Sequence, residues 1–119
     1  MKNYILSAAT ILSMAGVSSA FAHAALQTSS PKSSEVVEGS PNVIVLKFNE
    51  ALEAPFSKIT LKDSKGTTLK TEKATVDKQH PETLQLVPPK LAAGSYQVLW
   101  STMTQDGHRA KGQYAFQVK

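Results

Sequence analysis

The sequence of 119 residues contains no cysteine and few aromatic residues. The absence of cysteine excludes a disulfide framework, a Cys-ligated zinc site, an iron–sulfur cluster and a thiol nucleophile. Aromatic residues make up 7% of the chain, too few to stack many bases of a nucleic acid. Histidine and methionine each occur only three times. A metal site would therefore have to draw on a handful of His, carboxylate, Met or backbone ligands.

Neither positive nor negative charge dominates the chain. The sequence has thirteen Lys and Arg residues and nine Asp and Glu residues, which gives a net charge of +4. The lysines between residues 58 and 78 are scattered and interleaved with acidic residues, which is typical of a solvated face and argues against a nucleic-acid partner. The length, without repeats or a linker, predicts one domain that can bury a core without disulfides.

The chain also lacks an apolar run long enough to span a bilayer. Residues 5–17 are apolar, Lys2 precedes them and Ala20-Phe21-Ala22 follows, a pattern that predicts a cleavable signal peptide over residues 1–22. A membrane anchor is the alternative, but the run is short and has no aromatic belt. We expect an exported, periplasmic protein consisting of one β domain, residues 23–119, that begins at His23.

The remaining chain alternates polar and apolar residues in short segments divided by Pro, Gly, Asp and Ser. This period of two predicts strands and almost no helix. Tyr96 is expected to tie its hydroxyl back to the backbone at a Greek-key corner, and Trp100 to anchor the core. The fold class predicted is all-β, a seven-stranded Greek-key barrel or immunoglobulin-like sandwich. The expected strands are residues 24–30, 42–48, 58–62, 67–71, 83–87, 95–104 and 112–118.

The placement of two histidines suggests a metal site. After cleavage, His23 would offer both its α-amine and its imidazole to one metal ion, and Asp106 and His108 lie two positions apart, on one side of an extended segment. Three nitrogens and one oxygen suit a tetragonal Cu(II) or Ni(II) site, and Cu(II) leads the Irving–Williams order. Either signal alone can arise by chance.

Three other residues bear on a possible metal site, His80 and Met103 as candidate ligands and Glu50 as a supporting group. His80 lies in a polar stretch before Pro81 and is expected in an exposed loop. Met103 is the only Met after residue 22, so a Met-based Cu(I) site is not expected. Glu50 follows a predicted core strand and is either a solvated carboxylate or a group that orients a metal-bound imidazole.

The sequence resembles the CopC family of periplasmic copper-binding, copper-resistance proteins. The resemblance implies a Greek-key barrel or cupredoxin-like sandwich and one Cu(II) per chain held by His23, Asp106 and His108, with Glu50 nearby. It also implies a CopD-type inner-membrane partner. Some members add a Met-rich Cu(I) site, but residues 52–83 contain no Met. The resemblance is carried by His23, Ser30-Pro31, Phe48-Asn49-Glu50, residues 91–96, Trp100, Asp106, His108 and the segment 112–118.

These observations predict a monomeric copper carrier or buffer that is not an enzyme. A copper monooxygenase in which an amino-terminal His chelates the metal is one alternative, but few aromatic residues are available to form a flat sugar-binding face. An exported immunoglobulin-like interaction domain, with His23 and His108 incidental, is another.

Overall fold

The computed structural model describes residues 25–119, so the expected signal peptide and His23 lie outside the described residues. Two four-stranded sheets make up this part of the chain, in the orders β1-β3-β6-β5 and β2-β8-β7-β4. All neighbouring strands are antiparallel except β2 and β8, which are parallel. The elements are β1 (Leu26–Ser30), β2 (Val36–Val37), β3 (Ile44–Phe48), a 3-10 turn (Ala54–Phe56), β4 (Lys58–Lys62), β5 (Thr75–Val76), β6 (Thr83–Leu86), β7 (Gly94–Met103) and β8 (Arg109–Val118).

The core lies between the sheets because each strand turns alternate apolar side chains inward. In β3, Ile44, Leu46 and Phe48 are buried while Lys47 is exposed, as the period of two requires. Tyr114, Phe116 and Val118 of β8 are buried in the same way. Consecutive strands repeatedly change sheets, for example β3 to β4 and β6 to β7, as in Greek-key sandwiches. The all-β prediction is confirmed.

The strand predictions are confirmed for six segments and differ in two respects. Residues 67–71 do not form a strand, since only an isolated bridge between Thr68 and Lys62 lies there. The prediction of seven strands missed β2 and β5, each two residues long. Two residues are too few to show a period, and both strands form by pairing with longer neighbours, β8 and β6. Among the described residues no helix is long and apolar enough to cross a membrane.

The two aromatic predictions differ in outcome. The Tyr96 hydroxyl donates a hydrogen bond of 2.7 Å to the carbonyl oxygen of Ala92, which confirms the corner. Trp100 is only partly buried and packs against the side of the core, 6.1 Å from the ring of Phe48. Its indole covers Gly112, where a Cβ atom would come within 2.7 Å of Trp100 Cη2. Trp100 is therefore a peripheral packing residue, and the expectation of a central anchor was wrong.

Candidate metal centre

Asp106 and His108 lie at one end of the longest hairpin in the described structure. Strands β7 and β8 pair in continuous register from Gly94 opposite Val118 to Met103 opposite Arg109. Residues 104–108 connect them, and the amide of Thr104 donates to the carbonyl oxygen of His108 over 2.9 Å. The rigid ladder therefore holds both predicted ligands within one short turn.

The buried side chain of Thr104 organises this turn. It is 1% exposed, and its hydroxyl donates to Asp106 Oδ1 while accepting from the amide of His108 at 3.1 Å. The amide of Gly107 donates to the carbonyl oxygen of Thr104 at 2.9 Å. Gly107 has φ +89°, a left-handed conformation that favours glycine at this point of the turn. One buried hydroxyl thus fixes the positions of both candidate ligands.

The carboxylate and imidazole of the pair are in contact. Asp106 Oδ2 lies 3.1 Å from His108 Nδ1, and the two side chains are 55% and 41% exposed. The hydrogen bond from Thr104 lowers the pKa of Asp106 below its usual 3.8; partial desolvation opposes this shift, and the nearby His108 adds to it. Asp106 is therefore an anion at neutral pH, ready to bind a cation.

The separation of the two donor atoms is compatible with metal binding. Ligand atoms about 2.0–2.2 Å from one metal ion are themselves about 3 Å apart at right angles and about 3.4 Å apart when tetrahedrally placed. The same pair can thus be a hydrogen bond without metal and two adjacent ligands with it. Within residues 25–119 no group of three or more His, Asp or Glu residues could hold a metal ion. A third His or carboxylate ligand would have to come from outside these residues, as His23 would.

The segment Asn49 to Leu52 links the start of β1 to this turn. Asn49 Oδ1 accepts a hydrogen bond of 2.7 Å from the amide of Ala25, and the amide of Asn49 donates to the Ala25 carbonyl oxygen at 3.1 Å. Two residues further on, the carbonyl oxygen of Ala51 accepts from the amide of Gln105 at 3.1 Å. These hydrogen bonds connect the start of β1 to the turn that carries Asp106 and His108.

Glu50 lies within this linking segment, directly after β3 as predicted. Its Oε2 atom is buried and has no hydrogen-bond partner among the residues that the structure describes. A buried carboxylate oxygen without a partner is costly. A donor or a cation from outside the described residues would remove that cost, which fits a supporting role for Glu50 near a metal ion.

His80 lies in an exposed loop, and Met103 lies at the end of β7. The side chain of His80 is 65% exposed, with Nδ1 3.9 Å from Glu82 Oε1, so the exposed loop position is confirmed. Met103 ends β7 and is partly buried. Its carbonyl oxygen accepts a hydrogen bond of 2.8 Å from the Glu53 amide.

Sequence reasoning missed the roles of Thr104 and Asn49. A Thr two residues before Asp, followed by Gly, is a usable signal, because short hydroxyl side chains in turns bond nearby backbone and carboxylate groups. For Asn49 no local signal exists. Its partner, Ala25, is 24 positions away, and only the folded chain brings the two together.

Comparison with known proteins gives a consistent picture. The CopC domain family model matches residues 26–119. Protein YobA of Escherichia coli K12 is 36% identical over 104 residues, covering 85% of this chain and 82% of YobA. The crystal structure of CopC from Methylosinus trichosporium OB3b has a TM-score of 0.78 at 35% identity, covering 82% of this chain and 94% of that one.

A second solved structure is that of PcoC from Escherichia coli, described as a methionine-rich copper resistance protein. It has a TM-score of 0.70 at 30% identity and covers 82% of this chain and 100% of PcoC. Family members are copper-binding resistance proteins and not enzymes, so the monooxygenase and the interaction-domain alternatives are set aside. The chain belongs to the CopC family of copper-binding copper resistance proteins.

Proposed function

We propose that this protein carries or buffers one Cu(II) ion per chain, as a monomer. The ligands are the α-amine and imidazole of His23, the imidazole of His108 and the carboxylate of Asp106, with Glu50 supporting the site. The observation that carries the proposal is the contact of 3.1 Å between Asp106 Oδ2 and His108 Nδ1. The link from Ala25 through Asn49 to the turn supports the addition of His23.

Cu(II) is favoured over Cu(I) by the donor atoms available. Imidazole, amine and carboxylate suit Cu(II), whereas Cu(I) prefers thiolate and thioether. The sequence has no cysteine, and Met103 is the only methionine among residues 23–119. PcoC, in contrast, is described as methionine-rich. We therefore infer a chain that binds Cu(II) alone and does not move copper between two sites of different oxidation state.

We further propose that the mature protein works in the periplasm and passes copper to an inner-membrane partner of the CopD type. The signal-peptide pattern of residues 1–22 supports export. The exposure of Asp106 and His108, 55% and 41%, supports transfer, because a recipient could approach the ion from solvent.

The proposal is tested by electron paramagnetic resonance of the mature protein with one equivalent of Cu(II). We expect the signal of a single site with nitrogen-rich ligation. His108→Ala should lower the Cu(II) affinity by orders of magnitude and Asp106→Ala by less, because imidazole is the better ligand. His80→Ala is the matched control and should leave the affinity unchanged. Equal losses for His80→Ala and His108→Ala would show that the site is elsewhere.

A second variant tests the amino terminus. One glycine placed before His23 turns its α-amine into an amide, which removes the chelate while leaving the imidazole. We expect the affinity to fall by orders of magnitude in a competition titration. An extended protein that binds as tightly as the mature form would exclude the amine as a ligand and refute this part of the proposal.

A further inference from the structure

We infer that the groove beside the metal-binding turn, lined by Phe56, Lys58, Glu72, Lys73, Ser101 and Arg109 among others, docks an acidic segment of the protein that receives the copper. This inference rests on the proposed function, since it identifies where the recipient binds. The groove has a volume of about 520 Å³, within the range of roughly 300–1,000 Å³ typical of ligand clefts.

The charge of the groove selects the sign of its partner. Lys58, Lys73 and Arg109 are exposed cations, and Glu72 is the one acidic residue among its lining residues. None of the three cations forms a salt bridge with another described residue. Unpaired cations around a groove attract an anionic segment and speed its association. Carboxylate side chains of a partner protein are the expected counter-charges.

An exposed aromatic residue gives the groove an apolar contact as well. Phe56 is 56% exposed, and it is the third residue of the 3-10 turn. Exposed aromatic side chains at the centre of a charged rim are the usual anchors of protein interfaces. The fitting partner is therefore a segment that combines acidic residues with an apolar side chain.

The position of the groove connects docking to the metal site. Arg109 directly follows His108, and Lys58 pairs with Ser101 on the strand that leads into the metal-binding turn. The turn carrying Phe56 is tied to the same place, because the Met103 amide donates to Ser57 Oγ at 3.2 Å and the Glu53 amide to the Met103 carbonyl oxygen at 2.8 Å. A segment held in the groove would thus contact Arg109, the residue that directly follows the candidate ligand His108.

The test uses a short synthetic peptide of glutamates around a central leucine, with the lysine counterpart as a negative probe. Binding to isotope-labelled copper-free mature protein is followed by amide chemical shifts. We expect shifts at Phe56, Lys58 and Lys73, with affinity that weakens as salt is added. The variant Lys58→Glu/Lys73→Glu should weaken peptide binding at least about tenfold. Adding Phe56→Ser to this double variant should weaken peptide binding further.

The matched control is Lys65→Glu/Lys119→Glu, which makes the same change of charge just beyond the far ends of β4 and β8. It should bind the peptide within about twofold of the wild-type protein. Equal losses in both double variants would show a general charge effect and overturn the proposed groove. Chemical shift changes confined to residues outside the groove would also overturn the proposal. So would a protein that binds anionic phosphatidylglycerol vesicles through Lys58 and Lys73 but does not bind the peptide.

Failure of this inference is distinguishable from failure of the proposed function. All variants are also titrated with Cu(II), and Lys58→Glu/Lys73→Glu should retain the wild-type copper affinity. A wild-type protein that binds copper but not the peptide refutes the docking groove alone. A wild-type protein that binds no Cu(II) refutes the proposed function, whatever the peptide does.

Discussion

At the scale of single residues, a buried threonine prepares the metal-binding turn. Thr104 is 1% exposed, and its hydroxyl contacts both the Asp106 carboxylate and the His108 amide. These bonds hold the two candidate ligands in place before a metal ion arrives, which reduces the ordering cost of binding. Groups that hold metal ligands in this way often matter nearly as much as the ligands themselves.

Replacing Thr104 with Val should therefore affect both proton and copper binding. Without the hydroxyl, the pKa of Asp106 should rise towards 3.8, and the Cu(II) affinity should fall about tenfold. The pKa is measured by carboxyl carbon NMR and the affinity by competition titration. Thr102→Val is the control, since Thr102 is equally buried and its hydroxyl bonds only the Ala110 carbonyl oxygen. An unchanged Asp106 titration in Thr104→Val would contradict this role.

The lowered pKa of Asp106 predicts how acid affects the stability of the copper-free protein. Because the folded-state pKa of Asp106 lies below its usual 3.8, the ionised carboxylate contributes stability that is fully present above pH 3.8. That contribution disappears as the pH falls below 3.8 through the folded-state pKa. Thr104→Val should remove it, so the stability difference between wild type and variant should shrink in acid.

At the scale of structural elements, the segment after β3 joins two distant parts of the chain. Asn49 holds Ala25 at the start of β1, and Ala51 holds Gln105 in the turn between β7 and β8. These four residues adjoin both sheets, because Ala25 precedes β1 and Asn49 follows β3 in one sheet, while Gln105 follows β7 of the other. This segment therefore sets how near Ala25 lies to the turn between β7 and β8.

Asn49→Ala tests this link. The loss of an exposed hydrogen bond should change the free energy of unfolding by less than about 1 kcal/mol. Hydrogen exchange of the Ala25 amide should become faster, and the Cu(II) affinity should fall about tenfold, as for other groups that position ligands. Asn42→Ala, in the exposed loop before β3, is the control and should leave both unchanged. Wild-type copper affinity in Asn49→Ala would show that the link does not position His23.

At the scale of the whole molecule, the two sheets pack on a shared core that contains the buried hydroxyl of Tyr114. Burial raises the pKa of Tyr114 to about 12, against a lowering effect of the Ser29 hydroxyl, while Glu35 raises it further. Tyr114 comes from β8 and Ser29 from β1, which belong to different sheets. Ionisation of this tyrosine would place a charge between the two sheets.

The folded protein should consequently lose stability in alkali. A folded-state pKa raised above the usual 10.0 gives a contribution that is complete below pH 10 and is lost as the pH rises towards about 12. Urea unfolding should show that Tyr114→Phe lacks this alkaline loss and is little changed at neutral pH. Tyr96→Phe is the control: it removes the hydrogen bond to Ala92, costs about 1 kcal/mol at neutral pH and keeps the alkaline loss. An equal alkaline loss in Tyr114→Phe would refute the assignment.

Local sequence patterns determined most of the fold. The alternation of Ile44, Leu46 and Phe48 was sufficient to predict β3 and its buried face, because the side-chain period of a strand is a local property. The Tyr96 corner was predictable for the same reason, since its hydrogen bond spans four residues. The spacing of Asp106 and His108 likewise predicted two neighbouring donor groups.

The tertiary structure decided what depends on distant contacts. The two-residue strands β2 and β5 exist only because β8 and β6 pair with them. Trp100 lies at the side of the core because Gly112, on the neighbouring strand, leaves space for its indole. The link from Ala25 through Asn49 to Gln105 joins residues that are far apart in sequence. No pattern within a few residues encodes such contacts, because they form only when both sheets have packed on their shared core.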